Sequence, residues 1–177
     1  MPLTKERLHE LFEYKDGNFY WKLDKGRAKK GQKANRLTDS RYEQIKFDQG
    51  LHWFHRAVFV YHNGYLPETI DHINGNKIDN RIENLRSASY SQNNSNIGLR
   101  KNNTSGIKGV SWNKSKKCWH ICVENKQMRI KFQKEVKDLE LAELIAIEAR
   151  NKFHGKFANH GYPTLARPTD AQLAEIN

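Results

Sequence analysis

Apolar residues in this chain come only in short runs, and a turn signal closes run after run: Asp16-Gly17, Gln49-Gly50, Asn63-Gly64 and Asn74-Gly75-Asn76. Such punctuation leaves room for short strands and helices but not for one large enzyme core. The 177 residues, 37% hydrophobic and 29% charged, are therefore expected to fold in small pieces. An aromatic content of 11% argues against disorder. No apolar run reaches the ~18 residues of a membrane span. The start, Met1-Pro2-Leu3-Thr4-Lys5-Glu6, lacks the apolar stretch of a secretory signal, so an intracellular protein is expected, with no membrane association and no protein partner evident.

Thr4 can cap a short helix carrying Leu8, Leu11 and Phe12, and Asp16-Gly17 turns the chain into the strand Asn18-Phe19-Tyr20-Trp21-Lys22. The basic stretch Gly26 to Lys33 reads as a solvated loop, with an arm on a DNA backbone as the other reading. Arg41 to Phe47 alternates like a strand, Leu51 to Phe54 follows the next turn, and His55 to His62 fits a buried short helix stopped by Asn63-Gly64. Later, Ile107 to Trp112, Cys118 to Glu124 and Met128 to Phe132 read as three strands. In the second, Trp119, Ile121 and Val123 share one face. The stripe Leu139, Ala142, Ile145, Ala146, Ala149 and Phe153 recurs at helical spacing and predicts a helix from Lys137 to Phe153 that covers that face.

The formal net charge is +11, and its distribution is uneven. From Gly98 to Lys134 ten Lys or Arg face the single acid Glu124, which places +9 of the total in one segment. A cationic sheet of this kind gains affinity for nucleic acid by releasing counterions. Cys118 and Cys122, the only cysteines, are too few for a four-thiolate zinc site and read as reduced structural thiols. Trp112 and Trp119 read as packing residues.

Between the halves lies Asp71-His72-Ile73-Asn74-Gly75-Asn76, followed by Asn84-Leu85-Arg86 and Gln92-Asn93-Asn94. Asp71 offers a hard anionic oxygen of the kind Mg²⁺ or Mn²⁺ prefers, and His72 an imidazole with an ordinary pKa of about 6.5. At a strand end bending into a turn, one side chain can face a cation and the other an attacking water. Ser89-Tyr90-Ser91-Gln92 has the form of a capping box, which starts a helix with Asn93 in its first turns, and Leu85 to Ala88 forms the strand leading into it. The turn residues around Asn74 and Asp79-Asn80 read as turn formers. His52, His55 and His62 read as core or hydrogen-bonded histidines outside the site.

The stretch from about Trp53 to Asn96 resembles the HNH, or ββα-metal, nucleases, especially the homing endonucleases whose motif reads DH, then N, then N. The resemblance implies a two-stranded hairpin and a helix folded around one divalent cation, Mg²⁺ or Mn²⁺. It matches His72 with the general base, Asp71 and Asn93 with the metal ligands, and Asn84 with the middle asparagine that pins the long loop. The last family position is often histidine, and Asn93 stands there as in the homing subgroup.

Ser105-Gly106-Ile107-Lys108-Gly109-Val110-Ser111-Trp112, with Lys117-Cys118-Trp119 and Phe153-His154-Gly155, resembles an AP2/ERF DNA-binding domain. Such domains set a three-stranded sheet in the major groove. The resemblance matches Lys108, Ser111, Asn113, Arg129 and Lys131 with DNA-contacting positions, and the turn lysines Lys114 and Lys117 join them. Several family arginines are replaced, by Ser111, Asn113, Cys122 and Glu124.

The expectation is an α+β chain: a ββα-metal HNH motif plus a three-stranded antiparallel sheet packed on one helix. Its parts are an N-terminal accessory helix and hairpin region (1–50), a nuclease domain (51–97), a linker (98–104), an AP2-like module (105–160) and a tail (161–177). The expected function is metal-dependent hydrolysis of double-stranded DNA, in the manner of a site-specific homing-type nuclease. A DNA-binding regulator with a degenerate nuclease centre is the rival, and an RNA-binding protein the weaker third reading.

Overall fold

The computed structural model describes residues 3–38 and 42–161. Arg41 and the tail with Pro163 and Pro168 thus lie outside the described residues. The chain mixes helices with small antiparallel sheets, in keeping with the α+β class, and divides into two compact units, Met1–Tyr90 and Ser91–Asn177.

In the first unit Thr4 caps helix α1 (Lys5–Leu11), its side chain accepting from the Arg7 amide. Strands β1 (Phe12–Lys15) and β2 (Asn18–Trp21) form a hairpin across Asp16 and Gly17, both at positive φ, the pairing geometry of a two-residue turn. Strands β3 (Asn35–Leu37), β4 (Glu43–Phe47) and β5 (Gly50–Trp53) make a second sheet. Its β4–β5 turn holds Asp48 and Gln49 at φ 45° and 65°, an unfavourable conformation for residues with a Cβ. Asp48 is pinned there by Arg7 and Lys25, which together hold its carboxyl well below the usual range. Helix α2 (Phe54–Asn63) ends at Gly64, whose φ of 77° closes the helix through a bond to the Val60 carbonyl.

Strands β6 (Thr69–His72) and β7 (Leu85–Ala88) pair antiparallel, linked by a loop that ends in a 3-10 turn at Ile82–Asn84. One core runs through most of these elements: Leu8, Leu11, Phe12, Phe19, Trp21, Ile45, Phe47 and the inner face of α2 pack with Ile70 and Leu85. None of these short strands buries enough apolar surface alone, so the N-terminal region and the β6–β7 hairpin share one interior. Helix α3 (Tyr90–Ser95) starts one residue after Ser89.

The second unit contains β8 (Val110–Asn113), β9 (Cys118–Asn125) and β10 (Ile130–Val136), with β9 central, and the helix α4 (Leu139–His154). Ala142 and Ala146 of α4 pack on Val110 and Ile121, with Trp119, Phe132, Val136, Leu139 and Ile145 around them, so the expected cover of the sheet by a helix is present. The third strand begins later than Met128, because Arg129 takes φ 54° within the turn, and it runs past Phe132 to Val136. The helix starts at Leu139 because the Asp138 side chain caps it, accepting from the Leu141 amide at 2.7 Å. Gly109, at φ 78°, lies where an added Cβ would meet the Cys122 carbonyl oxygen at 2.8 Å. Arg150 is buried beside it, donating to the Lys108 carbonyl and, at 3.1 Å, to His160 Nδ1. Cys118 and Cys122 are both unpaired thiols. No helix among the described residues is long and apolar enough to cross a membrane.

Candidate active site

The β6–β7 ladder places Asp71 directly opposite Arg86 and His72 opposite Leu85, so the adjacent acid and imidazole occupy alternate faces at the end of the strand. Both are buried, at 3% and 7% exposure. Arg86 Nε and Nη2 donate to Asp71 Oδ2 at 2.8 and 2.7 Å, which fixes the carboxylate rotamer. His72 Nε2 lies 3.1 Å from Asn80 Oδ1. Burial pushes the His72 pKa down against weaker upward pulls from Asn80, Asp71 and Asp79, so the ring is neutral at pH 7 and able to accept a proton.

Asn84 organises the loop between the strands. Its Oδ1 accepts from the Asn74 amide at 2.9 Å and its Nδ2 donates to the Asp79 carbonyl at 2.7 Å. Asn74 in turn donates from Nδ2 to Asp79 Oδ2 at 2.8 Å, and Arg81 grips the same carboxylate and lowers its pKa to about 2. Gly75 supplies the left-handed residue, φ 73°, in the turn after His72. Asp71, His72 and Asn84 are thus brought together in the first unit. Asn93 is carried by α3, in the second.

Among the described residues no three His, Cys, Asp or Glu side chains form a metal-holding group. The donors suit a different kind of site: Mg²⁺ is commonly held by one or two carboxylates, with water and substrate phosphate completing its shell. Asp71, a buried carboxylate with a fixed rotamer, fits that role.

Three neighbours escape sequence reasoning. His55, kept outside the site on sequence grounds, has its ring centroid 5.4 Å from that of His72, and burial, followed by His72 itself, pushes its pKa down to about 3. Arg86 becomes visible only once the strand register is known. Asn80, 2% exposed, reads as a turn former, yet it joins His72 to Glu43 Oε2, its Nδ2 donating at 2.9 Å. Glu43 has a readable signal: it shares strand parity with the buried Ile45 and Phe47.

In the second unit Ser111, Lys114, Lys117, Arg129 and Lys131 are exposed. Asn113 is partly buried and caps the β8–β9 turn, its Oδ1 accepting from the Ser115 and Lys116 amides. Lys108 is placed differently from the rest. Its ammonium donates to the Ser95 carbonyl at 2.7 Å, and burial pushes its pKa down to about 8.

The HNH endonuclease family model matches residues 52–95, the stretch from β5 to α3 that contains Asp71, His72, Asn84 and Asn93. No solved structure matches the chain. Protein 3.8 of Escherichia phage T7 is 36% identical over 110 residues, which span 59% of this chain and 86% of that protein. With that much of the phage protein covered at that identity, the chain belongs to the family of Protein 3.8 of Escherichia phage T7.

Proposed function

We propose that the protein is a DNA endonuclease that hydrolyses phosphodiester bonds of duplex DNA, using His72 as general base. The observation that carries this reading is the buried, neutral His72 beside the buried Asp71, at the strand end of a segment matched by HNH endonucleases. Water gives a proton to the imidazole and its oxygen forms a bond to phosphorus, while the P–O bond to the leaving oxygen breaks, that oxygen keeping the electron pair and taking a proton from solvent. One divalent ion, Mg²⁺ or Mn²⁺, held by Asp71 and, on the family resemblance, Asn93, would stabilise charge on the scissile phosphate. Asn84 keeps the loop closed over this end of the hairpin, and Arg86 keeps Asp71 in one rotamer. Duplex DNA incubated with the protein and Mg²⁺ is expected to be cut, with cutting abolished by EDTA and restored by added metal. Intact duplex under all these conditions, or cleavage confined to RNA, would rule the reading out.

The second unit is proposed to act as an AP2-like module that positions the nuclease on a site, as in a homing-type enzyme. Its cations fringe the sheet in the turns Lys114 to Lys117 and Lys126 to Arg129, and Ser111, Glu124, Lys131 and Gln133 on the face opposite α4 are exposed. Arg129→Ala combined with Lys131→Ala is expected to weaken duplex binding and to flatten its salt dependence, by about one unit of log–log slope for each phosphate left without its cation. Binding titrations at several salt concentrations measure both, and unchanged slopes would remove these two residues from the interface.

A further inference from the structure

Resting on the nuclease reading, we propose that Glu43 and Asn80 are positioning residues that hold His72 in its Nε2–H tautomer, so that Nδ1 is the atom that takes the proton from water. The inference comes from the direction of a hydrogen-bond chain. A carboxylate has acceptors only, an asparagine has one acceptor end and one donor end, and a neutral imidazole has one of each. Glu43 Oε2 therefore requires the Nδ2 end of Asn80, at 2.9 Å, and this turns Asn80 Oδ1 toward His72 Nε2, at 3.1 Å. An oxygen facing that nitrogen demands a hydrogen on it. The neutral ring then carries its lone pair on Nδ1.

The other arm of the chain also ends on Glu43 as an acceptor. The Phe19 amide donates to Asn35 Oδ1 at 3.2 Å, which leaves Asn35 Nδ2 to donate to Glu43 Oε1 at 2.8 Å. Glu43 thus accepts from one amide on each oxygen, with the Lys33 ammonium 3.7 Å from Oε1, and the donations that start at the β2 backbone and at His72 converge on it. Reversing Asn80 would set its oxygen against a carboxylate oxygen of Glu43, two acceptors with no hydrogen between them. The amide between Glu43 and His72 also orients the ring without laying a full negative charge against it. Glu43 lies in β4, before the segment matched by the nuclease family, so the N-terminal sheet would supply part of the catalytic geometry.

The test reads the tautomer directly, by long-range ¹H–¹⁵N correlation of the imidazole nitrogens in the full-length protein, alongside single-turnover cleavage of duplex DNA. Wild type is expected to show a protonated Nε2 and an unprotonated Nδ1. Asn80→Ala is expected to mix the tautomers and to lower kcat ~10- to 100-fold, the range for partners that orient a functional histidine, with KM little changed. The double variant Glu43→Gln with Asn80→Asp exchanges the amide and the carboxylate: residue 43 now donates to residue 80, its oxygen still accepts from Asn35, and an acceptor oxygen, now charged, still faces His72 Nε2. It is expected to recover the Nε2–H tautomer and most of kcat, which also covers the case in which Asn80→Ala fails to fold. A wild-type Nδ1–H tautomer, an unchanged tautomer or kcat in Asn80→Ala, or no recovery in a folded double variant overturns the positioning role. A protein that holds the expected tautomer and responds to Asn80→Ala, yet never cuts DNA, supports the fixed proton while overturning the nuclease reading.

Discussion

His72→Ala is expected to lower the single-turnover rate of DNA cleavage about 10²- to 10⁴-fold, the span attributed to one well-placed general base. KM is expected to change little, because the imidazole acts on water rather than holding DNA. The size of the effect follows from the protonation state: burial outweighs the raising influence of Asn80 and the nearby carboxylates, so the ring enters the reaction as a base rather than as an imidazolium. His55 offers no substitute. Its pKa is pushed down to about 3, which makes it a weak base, and its ring packs against His72. Removing His72 opens space beside that ring, so a folding control is needed; an unchanged urea midpoint with collapsed activity is the expected pair of results. Wild-type rates in a folded His72→Ala would mean that the base lies elsewhere.

Phe12→Ala is expected to destabilise the first unit by ~3–5 kcal/mol, the usual range for deleting a buried aromatic ring. Phe12 is 0% exposed, and its ring centroid lies 4.6 Å from Trp21, 5.4 Å from Phe19 and 5.4 Å from Phe47. Against a typical domain stability of ~5–15 kcal/mol this is a large share. The same core includes Ile70, on the strand that carries Asp71 and His72, and Leu85, which pairs with His72 on the neighbouring strand. Activity is therefore expected to fall at a lower temperature in this variant, in step with unfolding followed by tryptophan fluorescence. A loss below about 1 kcal/mol would show that the ring is not a keystone of that core.

The turns and helix ends of the fold were the parts most open to sequence reading, because they depend on chemistry a few residues wide. Asp16-Gly17 marks a hairpin, Gly64 ends α2, and the alternation around Ile121 anticipates the face that α4 covers. Exact limits were less legible where a single backbone angle decides them, as at Arg129. Of the site, the Asp71-His72 pair and the Asn74-Gly75-Asn76 turn are contiguous and visible. The partners of those residues are not. Arg86 meets Asp71 only through the β6–β7 register, and Glu43 reaches Asn80 across 37 positions through the packing of β4. Lys108 illustrates the same limit in the second unit: its charge reads as a surface cation, while its ammonium is directed to the Ser95 carbonyl.

Strand β10 forms one edge of its sheet, and Lys131, Gln133, Lys134 and Glu135 along it are exposed. An open edge is a template for another chain's strand, and lysines there are a common defence against pairing and aggregation. The cations proposed to meet DNA thus also guard solubility. Any redesign that neutralised them to retune target choice would bring copies of the protein closer to zipping edge to edge.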